Sequence, residues 1–169
     1  MSNIFEKYRG IPISREAPQF QFPDYRIIKG NSGAEYYYFP NMAQPLVSVR
    51  MIYSFDVGKM PAAGAAYFAT QLLKSGTSSR SALQFAEEAD TIGATFNFNS
   101  SQDDVSCSFV ALSEYADRAL DLLVDAVTAP AFLEDETERL KKKHIAQIIQ
   151  EAADPNYLCR LAFNSVYFE

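Results

Sequence analysis

The sequence predicts an α+β fold, a two-layer α/β sandwich with a largely antiparallel sheet and helices on one of its faces. Three observations carry this expectation. Residues 94–99 and 105–109 alternate apolar with polar side chains, Phe96 and Phe98 against Asn97 and Asn99, and Val105, Cys107 and Phe109 against Ser106 and Ser108. That period of two marks a hairpin with one buried face. Later stretches space their apolar residues at a helical period instead. Finally, strands gather early and the second hairpin falls between pairs of helices, an order suited to a sheet covered on one side.

Taken in order, residues 1–21 hold Pro12, Pro18 and few periodic apolar positions, and read as an extended arm ahead of one domain over 22–169. Residues 25–29 and 35–39 are β-prone and flank Gly30-Asn31-Ser32-Gly33, a hairpin signal. Tyr36-Tyr37-Tyr38-Phe39 fits a strand buried on one face, with a binding platform as the alternative use of the rings. Pro40 and Pro45 bracket a turn, and residues 46–55 form a longer, largely apolar strand. Pro61 can open a helix over 62–74, which Gly76 stops. Ser79 or Ser81 caps the next helix, whose stripe is Ala82, Phe85, Ala86 and Ala89, and Gly93 closes it. After the second hairpin, Ser113 caps a helix with Ala116, Leu120, Leu123 and Val127 on one face, ended at Pro130. A helix over 134–153 carries Leu140, Ile145, Ile148, Ile149 and Ala152; Asp154-Pro155 breaks it and a last helix runs toward Phe168.

Composition excludes several classes. A net charge of -6 offers no basic stripe for nucleic acid. Lys141-Lys142-Lys143 lies in a run with Glu134, Asp135, Glu136 and Glu138 and reads as the solvated face of a helix, as does the acidic run Glu87, Glu88 and Asp90. No stretch is apolar for the roughly 18 residues that span a bilayer. The first twenty residues lack an apolar signal core, which favours the cytoplasm as written; a leader trimmed from the native protein would point to the periplasm instead. Cys107 and Cys159 are too few for a secreted disulfide framework and read as unpaired structural thiols.

Between Gly64 and Thr77 the chain reads GAAYFATQLLKSGT. This frame resembles the active-site helix of the M16 (insulinase and mitochondrial-processing-peptidase-like) metallopeptidases, whose H-x-x-E-H binds zinc through two His and activates water with the Glu. Here those positions hold Tyr67, Thr70 and Gln71. Other landmarks follow in the family's order: Asn31-Ser32-Gly33, residues 45–49 (PLVSV), Gly58, residues 73–77, Ile92-Gly93-Ala94, Pro130-Ala131-Phe132, Arg139 and Asp154-Pro155. The third zinc ligand is a Glu on a later helix, and counting back from Asp154-Pro155 places Gln147 there, a neutral amide and a poor zinc ligand. His144 is the single histidine, so H-x-x-E-H exists nowhere in the chain.

The resemblance implies the M16, or LuxS-like metallohydrolase, fold and a member that has lost its zinc site, with no catalytic, metal or cofactor residue of its own. Tyr67 and Gln71 share a helical side. With Gln147 they are expected to make a neutral polar cluster whose hydrogen bonds replace the metal's link between two helices. His144 is expected to be exposed or hydrogen-bonded. The domain is expected to be incomplete at its C-terminus and followed by a second, similar one. Members without the motif pair with an active chain that carries the zinc, and help to enclose a chamber for unfolded peptide; this is the first functional expectation. The alternatives are a structural or assembly protein, like the core proteins of the respiratory bc1 complex, and an enzyme using a different site. No nucleophile–base pair accompanies Thr70 to support the last.

Overall fold

The computed structural model describes residues 21–55, 62, 64–101 and 103–167. Nearly all of the expected extended arm, together with Gly58 and Pro61, lies outside them. The described chain forms two units, divided after Gln44.

The first unit is a hairpin of β1 (Arg26–Lys29) and β2 (Glu35–Tyr38), antiparallel, with Lys29 opposite Glu35 at the turn. Gly33 sits at φ 85, a left-handed conformation that favours glycine, and the Gly30 N–H closes the turn on the Ala34 carbonyl at 2.8 Å. Tyr25 stacks on Phe39 at 5.5 Å and lies 6.3 Å from Tyr37. The expectation of a buried face fails here: Tyr36, Tyr37, Tyr38 and Phe39 are all exposed. Within this unit the rings partly shield one another.

The second unit holds β3 (Leu46–Ser54), α1 (Ala65–Leu72), α2 (Ala82–Thr91), β4 (Thr95–Ser100), β5 (Asp104–Leu112), a 3-10 turn (Ser113–Tyr115), α3 (Ala116–Thr128), α4 (Glu134–Glu151) and α5 (Pro155–Tyr167). Its sheet has the order β3-β5-β4, antiparallel throughout, so β4 and β3 are the edges among the described strands. Val49, Phe109 and Phe96 lie side by side across the three strands, as do Met51, Cys107 and Phe98. Phe98, Cys107 and Phe109 of these rows belong to the core, with Val49 and Phe96 packed against it, while Met51 is exposed. α1 and α2 pack against β4 and α3 against β5, around a core of Phe85, Ile92, Phe98, Phe109 and Leu123. The α+β architecture, an antiparallel sheet with helices on one face, is therefore the one the alternation predicted.

Of the two expected helix caps one is formed, and the face of α3 differs from expectation. Ser81 caps α2 with a full capping box, its Oγ accepting from the Gln84 N–H while the Gln84 side chain accepts from the Ser81 N–H. Ser113, by contrast, caps nothing: its N–H donates to the Pro45 carbonyl and it opens the 3-10 turn, while α3 begins after Tyr115 without a side-chain cap. The buried stripe of α3 is Ala119, Leu122, Leu123 and Ala126 rather than Ala116, Leu120, Leu123 and Val127. Ala119 and Ala126 are fully buried and bring the helix backbone close to the sheet, whereas Leu120 is exposed. Neither α4 nor α5 has a fully buried residue, and Ile145, Ile148, Ile149, Leu161 and Phe163 are exposed. Among the described residues no helix is long and apolar enough to cross a membrane.

Candidate functional site

The site positions of the sequence lie on α1 and α4, and the fold packs these two helices together. Tyr67 is half-buried, and its ring lies 4.9 Å from the His144 imidazole, tilted by 33°. Phe68 meets the same imidazole at 5.6 Å, nearly perpendicular at 87°, and meets Tyr67 edge-on at 5.6 Å. Thr70 is buried and turns back on its own helix, Oγ1 donating to the Ala66 carbonyl at 2.6 Å. Gln71 is half-buried. Gln147 is exposed, and its Nε2 donates to Glu151 Oε1 at 2.7 Å, one turn along α4.

The helices thus meet as expected, but through different side chains. Among the described residues no side-chain hydrogen bond joins Tyr67, Gln71 and Gln147, so the expected polar cluster is not formed. His144 is neither exposed nor hydrogen-bonded. It is half-buried, and its Nδ1 is buried without a partner. The reason is positional: His144 is the residue of α4 set against Tyr67, while Gln147 finds its partner in Glu151 on the same helix.

These residues do not fit a zinc ion. Among the described residues no three His, Cys, Asp or Glu side chains converge on one point. The one imidazole is packed between two rings, and the amide counted as third ligand points to a carboxylate. Among the described residues no base accompanies Thr70, whose hydroxyl donates to the Ala66 carbonyl. Burial pushes the Cys107 thiol up, away from the thiolate that reacts.

A second cluster, not anticipated from the sequence, fixes the segment that follows α1. Gly76 sits at φ 117, a left-handed conformation that favours glycine, and a β-carbon there would press on the Arg80 carbonyl at 3.2 Å. Thr77 bridges to Pro130, and the Ser78 N–H donates to the Ala129 carbonyl at 2.8 Å. Thr77, Ser79 and Arg80 all reach one carboxylate oxygen of Asp125 on α3, and Arg80 also pairs with Glu88 at 3.1 Å. The Thr77 hydrogen bond first, and those of Arg80 and Ser79 with it, hold the Asp125 carboxyl below the usual carboxylate range although burial opposes them. The sequence signal was the run Thr77-Ser78-Ser79-Arg80, a dense set of donors for which no acceptor is visible locally. The acidic runs are surface features as expected: Arg139 pairs with Glu136 at 2.6 Å and Lys141 with Glu138 at 3.3 Å.

The sequence pattern of the insulinase family, peptidase family M16, matches residues 59–164. The chain belongs to this family. Among curated M16 relatives, it is 28% identical over 105 residues to the "non-peptidase homolog YmxG" of Helicobacter pylori, covering 62% of this chain and 24% of that protein. It is 30% identical over 114 residues to the mitochondrial-processing peptidase subunit alpha of Solanum tuberosum, covering 65% and 23%. It is 32% identical over 105 residues to an uncharacterized zinc protease of Rickettsia bellii, covering 62% and 26%. The M16 chain spans about a quarter of the length of the curated relatives it matches. In structure it is similar to a peptidase M16 inactive domain from Pseudomonas fluorescens, with TM-score 0.76, 20% identity, and coverage of 83% of this chain and 35% of that one. A protease from Helicobacter pylori gives TM-score 0.60 at 18% identity, with coverage of 69% and 29%. These likenesses show the M16 fold.

Proposed function

We propose that this chain is a non-catalytic M16 subunit that helps to enclose a peptide chamber with a partner chain bearing H-x-x-E-H. The observation that carries the reading is the content of α1 itself. Its M16 motif positions hold Tyr67, Thr70 and Gln71, and a chain with one histidine cannot supply the family's zinc pair. Zinc, on this reading, resides in the partner. The names of the potato and Helicobacter pylori relatives, a processing-peptidase subunit alpha and a non-peptidase homologue, point the same way.

The geometry supports a peptide-binding role. β4 is an edge strand beside α1, and its exposed Thr95, Asn97 and Asn99 alternate with Phe96 and Phe98. An unpaired edge accepts an extended peptide by backbone hydrogen bonding without reading its sequence. A shallow cleft between α2 and β4, lined by Phe85, Ala89 and Phe96 and rimmed by Lys74 and Asp90, could take an apolar side chain of such a peptide.

The test is purification of the tagged full-length protein from its native lysate, followed by a peptide-hydrolysis assay with and without chelator. Chelator-sensitive activity that co-purifies with an H-x-x-E-H chain is the expected result. The bait recovered alone, or in an assembly with no hydrolytic activity, would overturn the proposal in favour of a structural role.

A further inference from the structure

We infer that Tyr67, Phe68 and His144 form an aromatic clasp that couples α1 to α4, in place of the metal for which the motif positions of this fold are known. The inference concerns what holds the two helices and does not depend on the chamber reading.

Several observations converge on it. The three rings lie with centroids 4.9 to 5.6 Å apart, two from α1 and one from α4. The two edge-on contacts set the positive rim of one ring against the negative face of another, and the Tyr67–His144 pair, tilted by 33°, is closer to offset stacking; both are favoured arrangements. Thr70 and Gln147 spend their hydrogen bonds inside their own helices, on Ala66 and Glu151, and among the described residues no side-chain hydrogen bond joins Gln71 to α4. His144 Nδ1 is buried with no hydrogen-bond partner. Buried ring nitrogens normally have one, so a histidine held here for its polarity would leave its main interaction unmade. Held for its ring, it fits. The clasp also has unusual weight for α4, a helix of 18 residues without one fully buried side chain. With so little of the helix sunk into the core, one interhelical ring contact is a large share of its hold.

The experiment is native-state amide hydrogen exchange across residues 134–151 in the full-length protein. Tyr67→Ala and His144→Ala are each expected to speed exchange in α4 by about 3- to 10-fold, the range an aromatic pair supports. The double variant should exchange more slowly than the product of the two single effects predicts, because the Tyr67–His144 contact is lost in either one and only the Phe68–His144 contact remains for the second change to remove. Tyr67→Phe keeps the ring and should exchange like the parent, as should the parent treated with chelator. Opening by Tyr67→Phe as large as that by Tyr67→Ala would mean that the hydroxyl is what holds the helices. Additive single effects would mean that the rings are not coupled, and opening by chelator would mean that a metal joins them. Any of these three results overturns the clasp. The Tyr67→Phe and chelator arms use near-native protein, so they remain decisive if an alanine variant fails to fold.

Discussion

Thr77, just after α1, donates a 2.7 Å hydrogen bond to Oδ2 of Asp125 on α3, 48 residues further along the chain. The same oxygen accepts from Ser79 Oγ at 2.9 Å and from Arg80 Nη1 at 2.7 Å. Through Arg80 the cluster continues to Glu88 on α2. One carboxylate therefore ties together α3, α2 and the segment that ends the motif helix. Its side chain is only 18% exposed, so these charge-assisted bonds are little screened.

Replacing Asp125 by Asn should destabilise the domain at pH 7 by about 2–3 kcal/mol, the usual worth of hydrogen bonds to a charged group in a largely buried setting. The difference should depend on pH. A carboxyl whose folded pKa lies below its unfolded value contributes stability above the unfolded value, about 3.9. It loses that contribution as pH falls through the folded value. Thr77 and Arg80 hold Asp125 in that direction, so the gap between parent and variant should narrow below about pH 4. Urea unfolding from pH 7 down to pH 3 checks this; a gap that is constant with pH would mean that the carboxylate charge is not what the cluster uses.

Removal of the α2 cap gives a smaller effect. Ser81→Ala should cost about 1 kcal/mol. Ser81 and Gln84 satisfy each other's backbone N–H groups through two separate hydrogen bonds, and an alanine at 81 keeps the N–H that Gln84 accepts, so Gln84→Ala on top of it should cost a further ~0.5–1 kcal/mol. Thermal unfolding of the two single variants and the double reads this directly.

The sequence made much of this architecture legible, and the misses have physical causes. The β4–β5 hairpin was readable because one face is buried and one wet, so Phe96 and Phe98 had to alternate with Asn97 and Asn99. The α2 cap was readable because Ser81 and Gln84 interact only locally. The face of α3 was not, because Leu120 and Leu123 are equally apolar; the alanines at 119 and 126 decide the matter by allowing close approach to β5, a tertiary effect. At the candidate site, counting placed α1 and α4 together correctly. It could not show that His144 rather than Gln147 would meet Tyr67, since a three-residue step along α4 keeps nearly the same side while changing the level.

The corrected α3 face yields its own check. Leu123→Ala should cost about 3–4 kcal/mol, because Leu123 is fully buried and its loss leaves a cavity. Leu120→Ala, at an exposed position, should stay within about 1 kcal/mol. Denaturant unfolding of both variants tests the assignment; equal costs would restore the stripe first expected from periodicity.

Phe132 offers a reversal of the usual ranking of small residues. It sits at φ 44 in the turn between α3 and α4, a left-handed conformation that costs a residue with a β-carbon about 1–2 kcal/mol. Both Phe132→Ala and Phe132→Gly lose the ring, but only the alanine retains that cost. The glycine variant should therefore be the more stable of the two, by about 1 kcal/mol after its larger entropy loss is counted. Parallel melting curves decide it.

Rebuilding the zinc motif by Tyr67→His, Thr70→Glu, Gln71→His and Gln147→Glu should not give a chain that holds stoichiometric zinc. Position 70 is only 2% exposed, so a carboxylate placed there without its metal is costly to bury, by several kcal/mol. Position 147 points along α4 to Glu151, not toward α1. A glutamate there would also face Glu151 as a like charge in place of the present hydrogen bond, which weakens the helix where the third ligand is needed. Elemental analysis after dialysis, together with competition against a chelating dye, gives the answer. One full equivalent of bound zinc would show that α4 can turn its 147 side into the junction, and that the side-chain directions seen here do not bar the site.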